Sequence, residues 1–530
     1  MKHILSLALL ICVQSQVFSQ DFQWLNTKPI DFYYNSLILK TALIIDNEDI
    51  IVYCGLDSAK TSHGFGDIFI QKTSLEGNIV DEIVIQGKTQ PPEKFNVDNN
   101  NNLYFIIEYE DEDLTWGTDT IEAYSSTNHA LVKLNENLDI VWVKYFEDQL
   151  GFDVGEYFII KNEYIYMHLE EGFEVSSIVK MDLDGNQLLK ITNEGISLLS
   201  TIDIDNDGNI YATGSCATSE VLFNGTSFPT QFTYNAWIVK YNQDGEAQWV
   251  KYITDETCIN SLVKVSDPDH IYFSGVLNTE ANFDSIEING PEWLNDFFLA
   301  RLNSDGEFIW VKEVPEMPEG ITGDACVAVT NNDNASHFME VDDENNIYLT
   351  GFSRGTIDWG NGVVSQPTNT IINNDILLWS YDELGNIRFA ETAGGEGLEY
   401  GKNIVIDSNG EIYLSGIVDY ESATFGEIAY EGEGEFFFLT RYSYGISGIN
   451  VNKPIDDVHI YPNPTTDYIN FDITENVNIS IFDISGKLVI EQYLMEGQNK
   501  KLFVGNLKSG IYIYHISDDS SLNTGKLIKK

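Results

Sequence analysis

One short pattern recurs seven times along this chain, and that recurrence limits the fold more than any other feature. An apolar residue followed by tyrosine, usually after a polar turn and often before glycine, stands at "IVYCG", "NNLYF", "EYIYM", "GNIYATG", "HIYFSG", "NNIYLTG" and "GEIYLSG". The tyrosines are Tyr53, Tyr104, Tyr166, Tyr211, Tyr272, Tyr348 and Tyr413, spaced by 51, 62, 45, 61, 76 and 65 residues. Periods of this size mark a repeat in which each copy is one supersecondary unit.

A second element follows each tyrosine: an apolar strand closed by a polar turn, as in "SSIVKMDLDGN", "AWIVKYNQDGE" and "FFLARLNSDGE". Most of these turns carry glycine where a tight hairpin needs positive φ. Several are followed by a strand containing tryptophan, such as "DIVWVKYF", "AQWVKYI" and "FIWVKEV". Each unit therefore supplies four short strands, a to d, with no helical period between them. Four-stranded units repeated around an axis are the blades of a β-propeller. The expected fold is all-β, a seven-bladed propeller followed by a small Ig-like β-sandwich. Unit seven has its strand c at "EFFFLTRY" but no tryptophan strand after it, while "DFQWLNTKPI" near the N-terminus reads as an orphan strand d. The segment around Trp24 is expected to complete the seventh sheet and leave no open edge. The units resemble the bacterial β-propeller repeat family, most closely at "DNDGNIYATG" with "NAWIVKYNQDGEAQW"; units two and three depart from its pattern, lacking the glycine after the tyrosine.

Strand direction sorts the connections. The tight a–b and c–d turns lie at one end of each sheet, and the long b–c and d–a segments at the other. These include 108–128, 216–235, 277–295, 353–374 and 315–336. A rigid scaffold with its variable loops at one end presents a binding surface there. Within these loops an aromatic recurs at Trp116, Phe223, Phe283, Trp359 and Phe425, and is read as packing beneath each loop. Lys72, Lys133, Lys180, Lys240, Arg301 and Arg441 share a position near the end of strand c, their stems expected on the sheet and their heads near carboxylates.

Catalytic signals are sparse. Gly351 to Gly355 spell G-x-S-x-G around Ser353, but a nucleophile elbow needs a strand–turn–helix setting that the repeat does not provide. No residue is assigned a catalytic role, and the chain is read as a non-enzyme. The eight histidines show no metal spacing. Asp203, Asp205 and Asp207 resemble the start of a calcium loop, although Gly214 stands where its bidentate glutamate belongs, so calcium is the sole cofactor candidate.

Charge narrows the partners. Residues 1–450 hold 21 Lys and Arg against 73 Asp and Glu, whereas 451–530 hold 8 against 10. So acidic a surface repels nucleic acid, and an extracellular polysaccharide or surface protein is the expected ligand class. The N-terminal "MKHILSLALLICVQSQVFSQ" reads as a signal peptide over 1–20, and no later apolar run has transmembrane length. Cys54, Cys216, Cys258 and Cys326 remain after it, their pairing open.

From about Val458 the pattern changes to short alternating strands. Residues 21–449 are assigned to the propeller, 450–457 to a linker and 458–530 to the sandwich. The last region resembles the type A C-terminal sorting domain of the type IX secretion system of Bacteroidetes. Four blocks match in order: "YPNPTTDYI", "ISIFDISGKLV", "LKSGIYIYHI" and "KLIKK". The resemblance implies the type IX machinery as a partner and a protein secreted or attached to the outer-membrane surface. Its sorting residues would be Tyr461, Pro462, Asn463, Pro464, Gly486, Gly510, Lys526, Lys529 and Lys530.

Overall fold

The structure, a computed structural model, describes residues 21–530 apart from 31–38, 62–63, 147–156, 172–173, 197, 217–219, 229–234, 254–260, 278–279, 290–295, 316–325, 329–337, 367–373, 420–421, 433, 445–459, 472–476, 484–487, 495–500 and 518–521. The expected signal peptide, the linker, Cys258 and Gly486 lie outside the described residues. Every described element is a β-strand, and all strand pairs are antiparallel apart from one isolated bridge. Contacts divide the chain into a unit spanning Asp21–Tyr444 and a C-terminal unit ending at Lys530.

In the larger unit each repeat is a sheet with strand order a-b-c-d. Unit four is typical: Leu198–Ile204, Ile210–Cys216, Asn235–Tyr241 and Ala247–Ile253 pair in that order. Unit seven runs Glu399–Ile406, Ile412–Val418 and Phe436–Ser443, and its fourth strand is Asp21–Pro29, with Leu25 opposite Thr440 and Pro29 opposite Phe436. The orphan strand thus pairs where its tryptophan placed it.

The apolar side chains are buried between sheets. One cluster joins units two and three through Phe158 and Leu131, another units three and four through Ile191 and Trp237, and others follow in sequence to units six and seven through Leu378 and Leu414. The remaining cluster joins unit seven to unit one, setting Phe437 and Leu439 among Tyr53, Ile68 and Phe69. Both faces of each inner strand are therefore covered, which is why strands b and c read as near-continuous apolar runs and not as clean alternation.

Polar groups stitch the first strands together. Asn96 donates to Phe158 O at 3.1 Å and accepts from Ile160 N at 3.0 Å. Asp203 accepts from Val265 N at 2.7 Å, Lys264 meets Glu340 at 2.8 Å, and Asn403 donates to Thr41 O at 2.7 Å. The asparagine and Asp203 bonds satisfy backbone groups at strands that have no further strand beside them. Lys94 is buried here, its Nζ 2.7 Å from the Tyr157 hydroxyl. Burial, with Lys264 nearby, pushes its ammonium down to about 7.

One repeat mark falls on the wrong side of its sheet. Tyr104, Tyr166, Tyr211, Tyr272 and Tyr413 each pair with the strand-c cation, but Tyr53 pairs with Gln71, and Val52 faces Lys72. A one-residue offset reverses the face, and Tyr53 packs its ring on Phe69 at 5.2 Å instead.

In the C-terminal unit, strands Ile460–Tyr461, Tyr468–Phe471 and Lys501–Phe503 form one sheet. Leu488–Leu494, Val477–Asp483, Gly510–Ser517 and Leu522–Lys529 form a second. Ile469 and Leu502 from the first share a core with Ile481, Tyr512 and Leu527 from the second.

Candidate functional site

The residues that repeat most regularly turn out to be structural. Before strand b, an aspartate side chain locks the turn: Asp205 Oδ1 accepts from Asp207 N at 3.0 Å and Asn209 N at 2.8 Å, and Oδ2 accepts from Asn209 Nδ2 at 2.8 Å and the Tyr211 hydroxyl at 3.1 Å. Asp98 and Asp342 repeat the whole arrangement with Tyr104 and Tyr348. Burial alone would raise the Asp98 carboxyl, yet the bonds from Asn102 and Tyr104 hold it below its ordinary value. The spacing that resembled a calcium loop is this turn lock. Asp203 is buried and bonded to backbone amides of Ile204 and Val265, Asp205 is saturated, and Asp207 is exposed. Among the described residues no group of three His, Cys, Asp or Glu is arranged to hold a metal ion.

The strand-c cations belong to the same system. Lys133, Lys180 and Lys240 lie over the rings of Tyr104, Tyr166 and Tyr211 at 4.9, 5.4 and 5.2 Å. Lys72 donates to Glu136 O and Arg301 to Glu383 O, both in the c–d turn of the following unit. Arg441 pairs with Glu411 at 2.9 Å. Across from Lys133, Lys240, Arg301 and Arg441 stand strand-d tryptophans, and several of these reach the next unit. Trp249 Nε1 donates to Ser304 O at 3.0 Å and its indole covers Gly306, where an added Cβ would sit 2.8 Å from the ring. Trp24 treats Leu75 O and Gly77 identically, although it comes from the other end of the chain.

Ser353 is buried inside strand b of unit six, Ile347–Arg354, opposite Asp375. The strand runs one residue beyond it and no helix follows, so the elbow geometry is absent.

At the other end of the sheets, five b–c connections begin and fold back as two-stranded hairpins: Leu114–Trp116 with Asp119–Ile121, Leu222–Phe223 with Thr226–Ser227, Ala281–Phe283 with Ile286–Ile288, Ile357–Gly360 with Val363–Ser365, and Ser422–Phe425 with Ile428–Glu431. Two of them reach the c–d turn of their own unit, where Trp116 Nε1 donates to Leu138 O and Asn224 Nδ2 to Gly245 O. Trp116, Phe223, Phe283, Trp359 and Phe425 are buried beside their turns. Three of the hairpins pair with the outer strand of the preceding unit, at Gln86–Thr115, Asn193–Phe223 and Gly394–Thr424. They cover strand edges that would otherwise expose unpaired amides. Three of the turns face open space: a Cβ built on Gly117, Gly225, Gly360 or Gly362 meets no atom within 4 Å, whereas one on Gly426 would meet Asp21.

Between units six and seven, at this same end, two buried carboxyl groups converge. Glu399 and Asp375 are 0% and 1% exposed, and a Cβ on Gly394 would lie 2.9 Å from Glu399 Oε2 and 3.0 Å from Asp375 Oδ1. Glu399 Oε1 accepts from Gly397 N at 3.0 Å. Burial, reinforced by the Asp375 charge, pushes Glu399 up to about 8, so it keeps its proton at neutral pH. Arg354 donates to Asn374 beside this pair. Sequence reasoning missed the pair because each acid sits in an ordinary strand start and only sheet stacking brings them together. Cys54 and Cys216 are both buried.

In the C-terminal unit the first and last matched blocks clasp each other. Asn463 Oδ1 accepts from Ile528 N at 2.8 Å and its Nδ2 donates to Lys526 O at 2.6 Å. Thr465 N donates to Ile528 O, and Lys530 N to Thr465 O, both at 2.8 Å. The peptide bonds before Pro462 and Pro464 are cis. Gly510 opens the strand that pairs with the terminal one, opposite Lys529. Tyr461 is largely exposed, Lys526 and Lys530 are exposed, and Lys529 is buried.

Residues 459–530 match the family described as the secretion system C-terminal sorting domain. The chain is thereby a cargo of the type IX secretion system, secreted or attached to the cell surface. No curated protein matches the chain. Among solved structures, a protein of unknown function from Bacteroides caccae is 12% identical with a TM-score of 0.28, over 54% of this chain and 78% of that one. A family 32 glycoside hydrolase from Bifidobacterium adolescentis is 8% identical with a TM-score of 0.22, over 88% and 94%. Likenesses this low carry no argument about fold or activity.

Proposed function

We propose that Asp21–Tyr444 is a seven-bladed β-propeller that binds a polymer or protein through its b–c hairpins, without chemistry of its own, and that the C-terminal unit is an Ig-like sandwich serving export. The propeller reading is supported by the sheet-to-sheet clusters that run from unit to unit and from unit seven to unit one, and by Asp21–Pro29 pairing with Phe436–Ser443. The binding reading is carried by one observation: five hairpins, each with a buried aromatic beside its turn, hold exposed turn residues in fixed positions on successive units. Prefixed loops lose little conformational entropy on binding.

The test is to screen the purified protein against glycans and surface proteins, then to repeat any positive with arginine at Thr118, Asn224, Asp284 and Asn361, four tip positions. Lost binding with an unchanged melting temperature supports the proposal; unchanged binding by the tip variants refutes it. The alternative, a secreted polysaccharide lyase or hydrolase, draws on the Asp375–Glu399 pair. Its signature is turnover of a glycan that Glu399→Gln abolishes without loss of fold.

A further inference from the structure

Beside the a–b turns a cavity of about 640 Å³ opens between units six, seven and one, and no hairpin residue lines it. At three other junctions the c–d turn of the next unit lies under the strand-d tryptophan, as Gly77 lies under Trp24, Gly306 under Trp249 and Gly385 under Trp310. Unit seven has no c–d turn, because its fourth strand arrives from the N-terminus. At this junction Phe389 stands where the tryptophan would be and stacks on Tyr444, centroids 4.3 Å apart. Arg388 lies against the rings of Tyr348 and Tyr444, at 5.1 and 4.8 Å, and its Nη1 donates to the Ser380 hydroxyl at 3.0 Å. The guanidinium is thus engaged on its faces and at one edge.

The walls differ in chemistry. Ile44 and Ile45 from unit one and Val405 from unit seven form an aliphatic side. Five carboxylates line the remainder, and they are not equivalent. Asp342 and Asp407 are spent locking their own turns, and Glu340 meets Lys264. Asp343 and Glu344 are exposed, and their carboxylates accept no hydrogen bond from the described residues. A cavity of this size admits a whole side chain with its flanking backbone. Its carboxylate excess disfavours anionic ligands, and no metal-holding group exists among the described residues.

We propose that this cavity is a second binding site, separate from the hairpins, and that it takes the lysine side chain of a basic peptide or protein segment. The methylenes lie along Ile44, Ile45 and Val405, and the ammonium meets Asp343 and Glu344, so that stem and head each find a matching surface.

The experiment uses the purified chain and a labelled peptide of alternating lysine and glycine, read by fluorescence anisotropy. Its partner probe carries acetyl-lysine, which keeps the stem and removes the charge. The unmodified protein should bind the lysine peptide at least about tenfold more tightly. Asp343→Asn with Glu344→Gln should lose roughly tenfold, whereas Glu427→Gln with Glu431→Gln, an equal charge change at a hairpin, should retain binding. Equal loss in both double variants would mean a diffuse acidic field and would overturn the site. So would equal affinity for the two peptides. All four substitutions are at exposed positions, and matching melting temperatures exclude misfolding as the cause. Hairpin-tip variants should leave lysine-peptide binding intact, so failure at one site is read independently of the other.

Discussion

Replacing Glu399 with glutamine tests the buried carboxyl pair through the pH dependence of stability. Glu399 has its pKa raised from 4.5 to about 8, by burial first and by Asp375 second. Below pH 4.5 the side chain is protonated in both folded and unfolded chains, and no penalty exists. Between pH 4.5 and 8 the unfolded chain releases the proton while the folded one keeps it. Stability therefore falls as pH rises, by about 1.4 kcal/mol per unit, and levels off above pH 8. The accumulated cost is about 5 kcal/mol. Glutamine keeps the carbonyl that accepts from Gly397 N and, like the protonated acid, carries no charge. Glu399→Gln should therefore match the parent near pH 4.5 and exceed it at pH 8. For a unit this long the gain corresponds to about 6 °C in melting temperature. Differential scanning calorimetry of parent and variant at pH 4.5, 6, 7 and 8 measures it. Parallel curves for the two proteins across that range would refute the argument that folded Glu399 keeps its proton.

Four further outcomes are expected. Gly306→Ala should lower stability by about 1–3 kcal/mol, since φ is +78° and the new methyl meets the Trp249 ring; a melting curve measures it, and a neutral result would contradict the close packing. Trp24→Ala should cost about 3–5 kcal/mol and speed limited proteolysis, because the indole joins unit seven to unit one; digestion at the wild-type rate would argue against that junction. Asp205→Ala should cost about 2–3 kcal/mol, leaving the buried Tyr211 hydroxyl and two turn amides without their acceptor, and added calcium should not change the melting temperature of either protein. Asn463→Ala removes two bonds to the terminal strand, so exported protein in culture medium should fall while intracellular chain accumulates; normal export would separate that clasp from sorting.

What the sequence determined by itself is what short-range geometry controls. An aspartate two and four residues before the amides it accepts, and six before a tyrosine, defines a turn lock wherever it occurs, so "DNDGN" could be placed without knowing its neighbours. Apolar strand runs, glycine turns and the four blocks of the sorting region are similarly local, and the lone tryptophan strand near the N-terminus could be matched to the one sheet that lacked it. Tertiary structure decided the rest, because stacking one sheet on another brings together residues whose own segments look unremarkable. Asp375 starts a strand c and Glu399 a strand a, and nothing in either segment marks an acid that keeps its proton. Tyr53 shows the reverse: a matching motif whose face was settled by a one-residue offset in pairing. The cavity beside Arg388 is likewise built from segments far apart in the chain, Ile44 and Ile45 facing Asp343, Val405 and Tyr444.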